Sequence, residues 1–201
     1  FLVESRAEGA RDLVVRVEEG HALLAKGAER NYAETVVGKV ANWETADALT
    51  PTQRFFVQHA AHHEVEANGA EMATKWFTEF QRLYWVVGAS VVEGGSGGMA
   101  RVLRDVEAVR GAVATLAGKE EEREKVELMQ DLITRSFDAL VNDPRELAGQ
   151  VMGRCGAPPR ANQNKQQAWE AAEAWVREAT EKGKVDVLTP VSRLSGLAEA
   201  G

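Results

Sequence analysis

Val3, Ala7, Ala10, Val14, Val17, His21, Leu24 and Ala28 follow one another at alternating steps of four and three, and no proline interrupts the first fifty residues. That spacing is the seam of one helix lying along another, and it continues through Tyr32, Val36, Val40 and Trp43 with the step relaxed to mostly four. At about 1.5 Å per residue, an uninterrupted helix over residues 1–49 would run ~70 Å. A rod of that length in a chain of 201 residues points to a spacer or scaffold.

Thr50-Pro51-Thr52-Gln53 reads as a helix start, with Thr50 as cap, proline at the first helical position and Gln53 closing a capping box. A second helix is expected from Pro51 to about Val92. Its stripe runs through Phe56, Ala60, His63, Ala67, Ala70, Ala73, Phe77, Phe80, Tyr84, Val87 and Val91. The tight connection at Thr50 makes these two legs antiparallel. Glu93-Gly94-Gly95-Ser96-Gly97-Gly98 is a turn with the composition of a flexible linker, because each glycine costs ~1 kcal/mol in a helix interior. A third leg over residues 100–141 carries Val102, Val106, Val109, Val113 and Leu116, then Val126, Met129, Ile133, Phe137 and Leu140. Gly118 to Lys125 between them is read as a solvated irregularity in one long helix, with a turn at Gly118 as the alternative.

Asp143-Pro144-Arg145-Glu146 restarts a short helix to about Arg154, and a further helix is expected from roughly Asn162 to Lys182, closed by Gly183. Trp169, Ala172, Trp175, Val176 and Ala179 fall on one side of it, and Thr189-Pro190 opens a last short helix. The predicted fold is therefore all-α. It is an elongated antiparallel bundle in a single domain over 1–201, three-legged over 1–141 with a smaller helical elaboration over 142–201.

Composition agrees: 31 Ala and 24 Glu put strong helix formers at over a quarter of the chain. The net charge of −7 and the scattering of the 24 Lys and Arg exclude a basic stripe for nucleic acid. No apolar run is long enough to span a bilayer, and the start at Phe1 has neither an initiator Met nor a signal-peptide layout, as a trimmed or mature fragment would. Cys155 is the single cysteine, so no internal disulfide forms, and no Asn-x-Ser/Thr sequon occurs.

Three groups of residues suggest chemistry. His59, His62, His63 and Glu66 are spaced so that imidazoles four apart share a helical face and could chelate a metal, although His-x-x-His-His-Glu is not the zinc-protease order. The simpler reading puts His63 on the seam and leaves no metal or other cofactor. Glu18-x-x-His21 matches one half of a carboxylate-bridged di-iron signature, but no second His has Glu three before it. With a fold-back at Thr50, His21 and His62 stand ~25 Å apart along the bundle and cannot share an ion. Trp76, Phe77, Phe80 and Tyr84 form the thick part of the core. Trp85, roughly 140° around the helix from Phe80, meets another helix or is exposed as a binding anchor. Cys155 has no His or Asp beside it in sequence and reads as structural; no loop has the Gly-Lys-Ser/Thr pattern that cradles phosphate. Nothing here predicts an enzyme.

The segment Val3 to Trp43, its fold-back at Thr50-Pro51 and the returning stripe Phe56 to Val91, in an Ala/Glu-rich chain, resemble the coat proteins of African trypanosomes. The glutamic acid/alanine-rich protein of the insect stages is the most similar branch, since variant surface glycoproteins usually carry disulfides that this chain cannot form. The resemblance implies a lipid-anchored protein on the outer face of the plasma membrane that packs among like neighbours and shields it. A receptor on the same scaffold, binding a host or vector macromolecule through Trp85 or the region after Asn142, and a cytoplasmic helical adaptor are the alternative expectations.

Overall fold

A computed structural model describes residues 16–35, 49–156 and 162–181. Within them the chain forms α1 (Val17–Thr35), α2 (Pro51–Asn68), α3 (Ala70–Thr78), α4 (Phe80–Ala114), α5 (Glu120–Arg135), α6 (Phe137–Asn142), a 3₁₀ turn (Pro144–Glu146), α7 (Leu147–Cys155) and α8 (Gln163–Glu181). The described residues contain no strand, and the helices pack against one another as an all-α bundle.

α2 begins where its cap signal places it. Thr50 Oγ1 accepts from the Gln53 backbone N–H and the Gln53 side chain accepts from the Thr50 N–H, so two orphan donors of the helix start are satisfied. α1 lies on α2 along a seam of small residues. Ala25, Ala28 and Ala60 are buried, and Gly27 leaves room for the Phe56 ring, whose nearest atom would be 2.6 Å from any Cβ added there. The pairs His21 with His63 and Gly27 with Phe56 run in opposite senses along the two helices, which makes them antiparallel as expected.

The uninterrupted second leg does not form. Gly69, at φ 84°, separates α2 from α3 in a conformation that glycine adopts freely. Glu79, at φ −84° and ψ 113°, separates α3 from α4 although no glycine or proline marks the place. Two local causes converge there. The Thr74 and Thr78 hydroxyls donate to the Glu71 and Thr74 carbonyls, a back-bonding that loosens and bends a helix. Glu79 Oε2 also accepts from Arg82 Nε at 2.7 Å, a contact made from outside the helix. Of the predicted first leg, Val17–Thr35 is helical, while residues 1–15 and 36–48 lie outside the described part.

The glycine run turns the chain, as its composition predicts. Gly95, at φ 51° and ψ −125°, breaks α4 in two, and the second half folds back so closely that a Cβ on Gly98 would collide with the Ser90 carbonyl. Gln58 of α2 bridges the two halves, donating to the Ala89 carbonyl at 2.8 Å and accepting from Arg101 at 3.2 Å. The third leg is not one helix either. Gly118, at φ 74°, and the residues around it form a turn, so that α5 packs back on α4. The turn thus prevails over the solvated irregularity, because Val126, Met129, Leu132 and Ile133 of α5 gain burial only by returning to the bundle.

Asp143 caps the next start by accepting from the Arg145 N–H, and α7 and α8 pack together beyond it. The predicted tail helix at Thr189-Pro190 falls outside the described residues. A single hydrophobic core runs from Ala28 to Val176, with Trp76, Phe77, Leu83, Trp85, Met99 and Ile133 fully enclosed. Trp85 is therefore corrected as a surface anchor. It is 0 % exposed and belongs to the core, in line with the other reading, in which it meets the rest of the bundle. The indole N–H groups of Trp76, Trp85 and Trp175 and the Tyr84 hydroxyl are buried with no hydrogen-bond partner among the described residues. Cys155 is buried as well, and that burial pushes its thiol pKa up, as befits an inert core residue.

The close contact at the turn gives a direct check. Gly98→Ala is expected to destabilise by about 2–3 kcal/mol, since the obstacle is backbone and cannot swing away. Gly97→Ala, which meets nothing within 4 Å, is expected to be neutral or stabilising by up to about 1 kcal/mol. Urea unfolding of both variants reads the difference.

Candidate metal centre

The histidines predicted to stand far apart meet between α1 and α2. His21 Nδ1 lies 2.9 Å from His63 Nδ1, and the ring centroids of His21 and His62 are 5.4 Å apart. One ligand atom from each of His21, His62 and His63 can be chosen so that all three lie within 4.8 Å of one another. The expectation that His21 and His62 cannot share an ion is thus overturned. That expectation counted both positions from Thr50, whereas the contacts of His21 with His63 and of Gly27 with Phe56 set residues 21–27 of α1 beside residues 56–63 of α2.

Of the residues that sequence spacing nominated, His62 and His63 fall in this cluster, and His59 and Glu66 do not. Glu66 is exposed and is not part of the cluster. His59 turns to Phe55, with ring centroids 4.7 Å apart, and stands 6.2 Å from the His63 ring. His21 was visible in the sequence as a seam position of the first stripe, just as His63 was of the second. What was missing was their register. Glu18, the other half of the di-iron signature, is exposed and outside the cluster.

Burial grades the three rings. His63 is 7 % exposed, His21 half-buried and His62 exposed. Desolvation, reinforced by His62, His21 and His59, pulls the His63 pKa from its ordinary 6.5 down to about 4, so the ring is neutral at pH 7. His59 is lowered too, first by burial and then by Arg101 and His62. Asp105, on the second half of α4, is raised by burial, with His62 the foremost of the charges pulling it back.

A contact between two Nδ1 atoms at 2.9 Å requires one ring to donate and the other to accept. Whichever way the proton lies, the buried Nε2 of His63 has no partner. Two imidazole nitrogens this close are also near the separation of neighbouring ligands on one ion, ~3.3 Å for tetrahedral zinc with Zn–N of about 2.0–2.1 Å. Compared with protein-family models, with curated proteins and with solved structures, the chain gives no match to any of the three.

The pH dependence follows from His63 in the metal-free chain. The unfolded chain takes up a proton there below about pH 6.5 and the folded chain only below about pH 4, so unfolding is accompanied by proton uptake between those values. Stability present at pH 7 is therefore lost as pH falls through that window, by an amount on the order of 2–3 kcal/mol. Denaturation midpoints measured from pH 7 to pH 4 should drop for the native chain and flatten for His63→Gln.

Proposed function

We propose that this protein binds one divalent transition-metal ion through His21, His62 and His63. The observation that carries the reading is the convergence of three imidazoles from two helices, with His21 and His63 nitrogens 2.9 Å apart. Imidazole suits zinc, copper, nickel and iron, whereas calcium and magnesium prefer oxygen. Three side-chain ligands leave at least one coordination position open, and the exposure of His62 puts it towards solvent. Because the ligands come from both α1 and α2, an ion held there fastens the first helix to the second. Binding energy then adds to the stability of that contact.

The surface-coat reading, with its lipid anchor and like neighbours, drew its physical argument from the length of a rod. The breaks at Gly69 and Glu79 remove that argument from the second leg, and burial of Trp85 removes the residue nominated for the receptor alternative. Among the described residues no helix is long and apolar enough to cross a membrane.

Titration of the metal-free protein with Co²⁺, followed by visible absorption and by competition with Zn²⁺, is expected to saturate at one ion per chain. At a free-ion concentration 100 times Kd the unfolding free energy should rise by about 2.7 kcal/mol. His62→Ala, at an exposed position, is expected to keep the fold and weaken binding at least tenfold. No saturable binding, or binding indifferent to both His62→Ala and His21→Ala, would overturn the proposal.

A further inference from the structure

Within the histidine cluster one ring is held by no hydrogen bond. His21 and His63 lie nitrogen to nitrogen at 2.9 Å, one half-buried and the other buried, so their mutual contact and packing orient both. His62 is exposed and has no hydrogen bond to a described residue; it only stands edge-on to His21 at 5.4 Å and tilted to His63 at 5.3 Å. An imidazole that ligates through one nitrogen carries a proton on the other, and an acceptor for that proton fixes the ring and raises its basicity.

The face of α2 that carries His62 meets α4. Gln58, four residues before His62 (62 − 58), donates to the Ala89 carbonyl at 2.8 Å and accepts from Arg101 at 3.2 Å. Asp105 follows Arg101 by the same four residues (105 − 101), so Gln58 with His62 and Arg101 with Asp105 are successive turns of two facing helices. Asp105 is half-buried and has no hydrogen-bond partner among the described residues. Burial raises its pKa, and of the charges that lower it His62 comes first, ahead of Arg101 and Arg104. Arg101 already donates to Gln58. A desolvated carboxylate without a donor therefore stands on the turn opposite an imidazole without an acceptor.

We infer, on the reading that an ion occupies the cluster, that Asp105 is a positioning residue of the metal site, its carboxylate accepting from the His62 ring N–H that faces away from the ion. Asp105 is not itself a ligand, since its oxygens fall outside the set of atoms that meet within 4.8 Å. It holds the exposed ring in its ligating orientation and so braces from α4 an ion bound by α1 and α2. The other carboxylate near His62 is Glu66, one turn further along α2; it is exposed, where water competes for the same hydrogen bond.

The test uses the full chain with Zn²⁺ as probe, its affinity read by competition with a chromophoric chelator and the ring N–H groups by NMR of the zinc-loaded protein. Asp105→Ala is expected to take up one ion per chain with affinity about 10–100-fold weaker, and to lose the solvent-protected ring N–H signal of His62. In a His62→Ala background the same substitution should cost nothing further, which a general loosening of the fold would not reproduce. Asp105→Asn, which keeps an acceptor oxygen without the charge, should fall between, and Glu66→Ala should leave affinity unchanged. If the native chain takes up no zinc, the metal reading and this role fall together. If it takes up one ion but Asp105→Ala binds as tightly, or the loss appears in Glu66→Ala instead, the role of Asp105 alone is overturned. Should Asp105→Ala fail to fold, the nearly isosteric Asp105→Asn decides by the same measurements.

Discussion

The ion pair between Arg82 and Glu29 sets the register on which the histidine cluster depends. It joins residues 53 apart in sequence, is bidentate, and leaves only 11 % of the arginine side chain exposed. Burial alone would lower the Arg82 pKa, but the hydrogen bonds that it donates to Glu29 and Glu79, with the charges of both, outweigh it and raise the value. A buried charge held this way makes the alternative registers of α1 expensive, because sliding the helix would strand it; breaking one partner of such a pair costs about 3–5 kcal/mol. The small-residue seam of Ala25, Gly27 and Ala28 permits α1 to approach α2, but a seam of alanines by itself specifies position weakly. Arg82 supplies the missing specification, and Tyr32 and Trp76, packed on its guanidinium, fix it further.

Two consequences follow at different levels along α1. Towards its start, the register brings His21 to the level of His62 and His63, where three imidazoles converge at a helix interface. Towards its end, it places Tyr32 edge-on to Trp76, with the Arg82 guanidinium over its ring. Glu79 takes part in the second arrangement as a partner of Arg82. The break in the helix at Glu79 is thus connected to the chemistry beside it. An unbroken helix through this point would present its residues in a different order to α1.

Much of the helical content was legible from the residues because it depends on local rules. The Thr50 capping box, the reversal within Gly94 to Gly98, the restart at Asp143-Pro144 and the helix over Gln163–Glu181 each rest on interactions within a few positions. Gly69 shows the limit of that approach. A single glycine inside a strongly periodic stretch costs only ~1 kcal/mol, so periodicity argued for continuity while tertiary packing chose the break. Gly118 followed the same logic, with the apolar stripe of α5 returning to the core instead of extending past it. No glycine or proline signals the break at Glu79; its causes are the Thr74 and Thr78 hydroxyl bonds and the contact with Arg82, none of which periodicity registers.

The sequence by itself determined that this chain is helical, where the helices that open at Pro51, after Asp143 and at Gln163 start, and which residues, His63, Trp76, Phe77, Tyr84 and Val87 among them, turn inward. Periodicity and capping are sufficient for those conclusions because each is a short-range property of the chain. The tertiary structure decided where the second and third legs break, the enclosure of Trp85 and the meeting of His21 with His62 and His63. Those outcomes depend on register between distant helices. Register is set by a few long-range contacts such as Arg82 with Glu29, whose pairing no spacing along the chain encodes.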